Sequence, residues 1–402
     1  MGKAPSKAGR GAGAEGRAEL LVKTTLFRQE SSSGVTYRIP SLVRLPGAPW
    51  YLAFAEKRSS PSDSDAIGLV MRRGQVTEDA SIQWSPCEEL SSARLPGHRT
   101  MNPCPVYDDN TQTLFLFFIC VRGHVTEQHQ IRTGHNQTRL CRVTSGDRGA
   151  SWSAAEDLTE SAIGKPLGRW ATFGVGPGHG VRLAAGRLVV PAYAYYERVN
   201  CFCLFPLPFT VQPRALSVYS DDAGRTWHAG QLLGAVSCEC EMAEVTDGEG
   251  TSRLYCNARR GGSCRVEALS RDSGEHFEEP RKAKALAEPR HGCQGSVVGF
   301  PAPNRSESAG TPTWLAFSHP TDKRRRRDLG VYLNRTPLHR SGWEPPVVIH
   351  RGPSGYSDLA YDRDLRRFSC LLECGEHSEL EQIAFISFTL DDIRQTASEE
   401  RE

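Results

Sequence analysis

Ser145-Gly146-Asp147-Arg148-Gly149-Ala150-Ser151-Trp152 decides the fold, because its pattern returns. Ser220-Asp221-Asp222-Ala223-Gly224-Arg225-Thr226-Trp227 repeats S-x-D-x-G-x-[ST]-W, and Ser270-Arg271-Asp272-Ser273-Gly274-Glu275-His276-Phe277 is a worn third copy. The copies begin 75 and then 50 residues apart. Each suits a hairpin turn: Asp and Ser bond the local backbone, Gly supplies a positive φ, and the aromatic residue packs beneath. One copy could arise by chance, but two good copies and a degenerate one mark repeated sheet units. The repeat is read as structural, with no catalytic role.

Outward from these turns the chain is a procession of short strand-like runs. Tyr51–Ala55, Gly68–Arg72, Leu114–Ile119, Leu188–Tyr195 and Ala215–Ser220 are rich in Val, Leu, Phe and Tyr, and so are Arg253–Asn257, Val266–Ser270, Trp314–Ser318, Phe368–Glu373 and Ile383–Thr389. Gly, Pro, Asp and Ser punctuate them. Sustained helical periodicity is nearly absent, and Leu390–Ala397 is the best helix candidate. The class is therefore all-β, and the repeat selects a propeller over a sandwich or barrel. One closed ring can use about 350 residues as a single unit. We therefore expect a basic, Gly/Ala-rich disordered tail at 1–20, one propeller domain at 21–395 and a short tail at 396–402.

Composition narrows the function classes. The 402 residues are 38% hydrophobic and 24% charged, with a net charge of +2. That is enough apolar material for a large core and too mild a charge to argue for a nucleic-acid partner. No run approaches the ~18–20 apolar residues of a membrane span, and Met1–Leu20 lacks the apolar stretch of a signal peptide. Thirteen Cys, an odd number without framework spacing, predict reduced and mostly buried thiols in a cytosol-facing protein. Gly174-Val-Gly176-Pro-Gly178-His-Gly180 is read as a turn and not a dinucleotide loop, because a Pro interrupts it and a strand follows. Cys370-x3-Cys374-x2-His377 lacks the second half of a metal site.

Tyr37-Arg38-Ile39-Pro40, Phe54-Ala-Glu56-Lys-Arg58, His98-Arg-Thr-Met101-Asn102-Pro103, Gly292-Cys-Gln294-Gly-Ser296 and Gly355-Tyr356-Ser-Asp-Leu359 carry a specific resemblance. They resemble the sialidase family, and the match runs over roughly Phe27–Thr389. The repeated turns are similar to that family's Asp boxes. Cys120-Val-Arg-Gly-His-Val-Thr-Glu127 and Cys374-Gly-Glu376 look closer to its plasma-membrane, ganglioside-preferring type. The resemblance implies a six-bladed β-propeller with Asp-box hairpin turns. It also implies an exo-α-sialidase that removes terminal sialic acid from glycolipids, gangliosides above all, and from glycoproteins. No metal or organic cofactor is required.

A sialic acid carries its carboxylate on the anomeric carbon, so its site needs shaped positive charge, and the planar fork of Arg suits a carboxylate best. The family positions matched here are Arg38, Arg259 and Arg326. The last lies in Lys323-Arg-Arg-Arg326-Arg327 and is chosen by its offset from Asp328-Leu329-Gly330. Tyr356 matches the nucleophile; sialidases use Tyr where other retaining glycosidases use a carboxylate. A neutral phenol avoids repulsion by the sugar carboxylate, but with a pKa of about 10 it needs a base. Glu239 matches that base, with Glu241 and Glu244 as competitors; on a strand Glu239 and Glu241 would share a face. Asp63 matches the general acid/base, with Asp65 as its neighbour. The Ser59-Ser60-Pro61-Ser62 stretch before it reads as a loop able to close over substrate. Glu56 is expected to buttress Arg38. Arg58, Asn102 and Glu127 are expected against the ring and N-acyl group, Met101, Tyr193 and Tyr195 along the wall, and Gln294 as a polar contact.

Two alternatives share this resemblance: a sialic-acid-binding propeller without catalysis, and a trans-sialidase. A lectin has no need of Tyr356, Glu239 and Asp63 together. Peripheral contact with the plasma membrane, and with endosomal or lysosomal membranes, follows mainly from the resemblance. Met1-Gly2-Lys-Ala-Pro-Ser6 fits the myristoylation pattern, with nearby basic residues as the second signal one chain requires. The apolar segment around Cys201 and Cys203 offers palmitoylation or interfacial insertion.

Overall fold

The computed structural model describes residues 21–198, 210–262, 264–303, 311–339 and 342–399. Gly2, Cys201 and Cys203, the three anchor candidates, lie outside them. The repeated turns form as their residues dictate. Asp147 accepts hydrogen bonds from the Ser151 N–H (2.8 Å) and hydroxyl (2.5 Å), while the Gly149 N–H, at φ +80°, donates to Ser145 Oγ (2.8 Å). Asp222 and Gly224 repeat this with Thr226 and Ser220, and Asp272 and Gly274 with His276 and Ser270. These bonds pull the Asp147 and Asp222 carboxyls down to about 2. Beneath the second turn Trp227 meets Phe117 edge-on at 4.6 Å.

Each turn closes a hairpin of an antiparallel sheet. One sheet runs Thr36–Leu45, Trp50–Arg58, Ala66–Val76, Ile82–Trp84. The next runs His98–Asp108, Thr113–Arg122, Thr138–Ser145, Glu156–Asp157. The third runs Trp170–Val175, Leu188–Arg198, Thr210–Ser220, His228–Ala229, and the fourth Cys240–Thr246, Ser252–Ala258, Cys264–Ser270, Arg281–Ala287. The last is seven-stranded: Ser296–Pro301, Thr313–Pro320, Arg327–Asn334, Val347–Asp362, Arg367–Cys374, Gln382–Thr389 and, from the other end of the chain, Lys23–Arg28. All ten expected strands fall inside these elements, and the terminal helix spans Leu390–Glu399.

The fold is all-β and propeller-like. Thr36–Leu45 contacts Val347–Asp362 and His98–Asp108, Ser296–Pro301 contacts Val347–Asp362 and Cys240–Thr246, and Val181–Arg182 of the third sheet contacts both His98–Asp108 and Cys240–Thr246, so the inner strands form a closed circuit. Apolar clusters fill the space between neighbouring sheets, as where Phe117, Phe173 and Trp227 meet. Lys23–Arg28 pairs with Gln382–Thr389, so a segment from early in the chain covers the strand that would otherwise be the edge of the last sheet. Among the described residues there is no disulfide, and Cys87 is the one exposed thiol. Among them, too, no helix is long and apolar enough to cross a membrane.

Candidate active site

Three strands reach one cavity through a bulge. Pairing slips between Arg38 and Ser41, between Met101 and Cys104, and between Arg327 and Leu329. In each slip one non-glycine residue is left-handed: Ile39 (φ +59°), Asn102 (φ +57°) and Asp328 (φ +54°). A bulge re-aims the adjacent side chain, and such backbone persists only where its surroundings hold it. The holders are visible. Glu373 accepts the Ile39 N–H (2.9 Å), Glu56 accepts the Asn102 N–H (2.7 Å), and Asp328 accepts the Gly352 N–H (2.7 Å).

The cavity, of about 690 Å³, is lined by Tyr356, which is 6% exposed. The phenol donates to Glu239 Oε1 at 2.5 Å and accepts from Arg259 Nη1 at 2.9 Å. Arg38 and Arg326 lie 5.4 and 5.2 Å from the centroid of the Tyr356 ring. Three guanidiniums from distant sequence thus surround one phenol. Burial, and then the Glu239 carboxylate, raise the Tyr356 pKa well above its ordinary value, so the group rests neutral. Burial alone would lower the pKa of Arg38, but its 2.6 Å ion pair with Glu373 more than offsets this. Glu239 does the same for Arg259 from 2.7 Å. The outer edges of Arg259 and Arg326 donate to the carbonyls of His291 (2.7 Å) and Gly292 (3.1 Å).

Opposite, Asp63 sits exposed on a short 3-10 turn, Asp63–Asp65, and lines the cavity. Its carboxylate pairs with Arg58 Nη1 at 2.5 Å. Asp65 is turned away to Ser60 and Ser64. Met101, Asn102, Tyr193 and Tyr195 are on the wall. The two tyrosines, alternate residues of one strand, meet edge to face at 6.2 Å. Glu127 opens the helix Glu127–Thr133, which runs between Thr126 as N-cap and Gly134 in the left-handed C-cap. Glu127 lines the cavity while its side chain stays open to solvent; partial desolvation there, then Glu239 and Asp63, raise its pKa to about 7.

Twelve of the fourteen expected residues therefore line one cavity; Glu56 and Gln294 do not. Glu56 does not buttress Arg38, although the two are paired across adjacent strands. Its carboxylate goes to Arg58 (2.6 Å) and the Asn102 N–H, and Glu373 holds Arg38 in its place. Gln294 is not open to a ligand. Fully buried, it bridges Pro177 O (3.2 Å) and the Ser357 N–H (3.1 Å). The competitors of Glu239 are engaged elsewhere: Glu241 one level deeper, with Ser296 and the Val297 N–H, and Glu244 with Ala184 and Ser252. Sequence reasoning missed Glu373 and Arg99, the latter a wall residue whose guanidinium holds the carbonyls of Gly123 and Val125 ahead of the Glu127 helix. Thr126 and Gly134, as start and stop residues, were the available signal for that helix; Glu373 had none.

Beneath Tyr356 the axis carries a closed polar cluster. His179 Nδ1 lies 2.7 Å from Asp358, and Ser296 reaches both Glu241 (2.7 Å) and Asp358 (2.8 Å). Among the described residues these three, His179, Glu241 and Asp358, are the one group with ligand atoms close enough together for a metal ion. Their oxygens already accept hydrogen bonds from the Leu42, Val297 and His179 backbone N–H groups. Burial, then Asp358, push Glu241 well above the usual carboxylate range.

A family model, "BNR repeat-like domain", matches residues 53–368. Sialidase-3 of Homo sapiens is 51% identical over 397 residues, covering 92% of this chain and 92% of that protein. Sialidase-3 of Bos taurus is 51% identical over 394 residues, covering 90% and 92%. Among solved structures, the Hadza microbial sialidase Hz136 superposes with a TM-score of 0.71 at 23% identity, over 89% of this chain and 66% of that one.

Proposed function

Because the chain belongs to the sialidase family of BNR-repeat proteins, we propose that it is an exo-α-sialidase acting on sialylated glycoconjugates, gangliosides above all. One observation carries this reading: the Tyr356 phenol, 2.5 Å from Glu239, lies among Arg38, Arg259 and Arg326 in a single cavity. A cavity that only bound an anion would need the arginines and not a phenol paired with a base.

In this reading the guanidiniums hold the sugar carboxylate. The Tyr356 oxygen attacks the anomeric carbon as Glu239 takes the phenolic proton. Asp63 gives its proton to the departing glycosidic oxygen. Water then replaces the tyrosyl bond; Asp63 takes a proton from it, and Glu239 returns the phenolic proton. Two displacements retain configuration. Met101, Tyr193 and Tyr195 form the wall for the N-acyl and glycerol groups, and Asn102, Arg58 and Glu127 the polar contacts.

The ring is read as six blades in one catalytic domain over 21–395, the seven-stranded sheet being two blades that share Val347–Asp362. Peripheral attachment to the plasma membrane is assigned to acylated Gly2 with its basic neighbours, or to Cys201 and Cys203. Unchanged membrane recovery of Gly2→Ala and of Cys201→Ser/Cys203→Ser would remove both anchors.

The central test sets a ganglioside beside a soluble sialyl-oligosaccharide. The native protein should release sialic acid from both, faster from the ganglioside, with the α-anomer formed first. Tyr356→Phe should bind and release none. Release by Tyr356→Phe at more than about 1% of the native rate overturns the assignment.

A further inference from the structure

A second buried cluster stands behind two of the three guanidiniums. Arg265, Glu288 and His319 are each 0% exposed. Arg265 donates to Asn257 Oδ1 (2.5 Å), to Glu288 (3.2 Å) and to Cys293 O (2.7 Å), with Phe317 beneath it at 5.1 Å. Glu288 in turn accepts the Arg260 N–H (3.2 Å) and the Cys293 N–H (2.8 Å), while His319 closes on it at 3.4 Å. Glu288 therefore binds the backbone beside Arg259 and the far end of the turn that follows itself, whose Gly292 N–H meets Pro289 O at 2.8 Å. That turn offers the His291 and Gly292 carbonyls to Arg259 and Arg326. It fits closely: Gly292 has φ +71°, and a Cβ there would stand 2.6 Å from Arg259 Nε.

We infer that Glu288 is a positioning residue for the anion-binding arginines, clamping the 288–293 turn so that consecutive carbonyls set Arg259 and Arg326. None of the three clustered side chains lines the cavity, yet Arg265 and Glu288 bond Asn257, the Arg260 N–H and both backbone groups of Cys293, on the two segments that carry Arg259 and the turn. A misplacement of about 1 Å at a binding group can cost about 100-fold, so a buried acid that fixes the turn governs substrate affinity. The inference rests on the reading that Arg259 and Arg326 hold the sugar carboxylate.

The test uses the full chain and two probes, a 2,3-unsaturated sialic acid and the same sugar with its carboxylate converted to an amide. Glu288→Gln keeps one acceptor and frees one end of the turn. Its inhibition constant for the acid should rise about tenfold and that for the amide less than about twofold, and KM should rise about tenfold with kcat within about threefold. Arg265→Gln/Glu288→Gln removes both charges, leaves no unpaired buried ion, and should show the same acid-specific loss. A purely structural role lowers kcat through a smaller active fraction and leaves KM and the acid-to-amide preference unchanged; that result overturns the inference. So does failure of both variants to fold, which would assign the cluster to folding alone. Arg326→Gln is the control. If it keeps the native preference for the acid, the reading of the site fails, whatever Glu288 does.

Discussion

Glu373 shows how one side chain can hold several parts of a site. Fully buried, it takes Arg38 Nε, the Ile39 N–H and the Tyr356 N–H (3.0 Å). Removing one partner of a buried ion pair costs about 3–5 kcal/mol. Glu373→Ala should therefore lower the thermal midpoint markedly and raise KM more than about tenfold. An unchanged midpoint and KM would exclude it as an anchor. Glu127 sets a pH dependence. The groups facing it are Glu239, Asp63 and Arg259, and its pKa is raised to about 7. Below that pH it is neutral; above it a second carboxylate stands beside Glu239 and opposes an anionic sugar. KM should climb as pH rises through about 7, and Glu127→Gln should flatten that climb. The stability tied to this proton is complete below the unfolded value of 4.5 and is lost as pH rises through about 7.

At the scale of the element, the Asp turns and the bulged strands separate stability from chemistry. Asp222→Ala removes acceptors for the Thr226 N–H and hydroxyl. It should cost about 1–2 kcal/mol, as loss of a capping acceptor does, and leave kcat unchanged. Gly224→Ala should cost more, since its φ is +82° and a Cβ would lie 2.2 Å from the Phe115 ring. Denaturant midpoints and kcat for the pair check both statements; a kcat loss in Asp222→Ala would give the turn a role beyond structure. The strands legible in sequence were the outer and middle ones, such as Leu114–Ile119, with regular apolar runs. The innermost escaped notice. Thr36–Leu45 and His98–Asp108 carry Arg, Asn, Ser and Pro at the axis, and their bulges break the alternation on which strand recognition depends.

At the scale of the molecule, closure and the axial cluster matter most. Lys23–Arg28 supplies Leu26 and Phe27, each 2% exposed, and covers the edge of Gln382–Thr389. A chain begun after Arg28 should lose about 3–6 kcal/mol of unfolding free energy, taking about 1.5–3 kcal/mol for each of these two buried side chains. Equal stability of the shortened chain in urea would show that the ring does not depend on this strand. Below Tyr356, burial and Asp358 raise the Glu241 pKa well above the usual carboxylate range. Glu241→Gln removes the titrating group and leaves one of the His179 and Val297 N–H groups without its acceptor, which should cost about 1–3 kcal/mol. A raised folded pKa means stability lost as pH rises, so this variant should decline less in alkali than the native chain.

Local chemistry announced the all-β class, the repeated turns and the residue types at the centre, because turns, strand alternation and short motifs act within a few neighbouring residues. The motifs marked Arg38, Tyr356 and Asp63, and the cavity gathers all three. Which of Glu239, Glu241 and Glu244 faces the phenol, and which arginine of Lys323–Arg327 enters the cavity, depended on strand level and bulge position. That Glu373, and not Glu56, holds Arg38 was decided in space: the partners are 335 residues apart, and a buried ion pair across the axis has no local pattern.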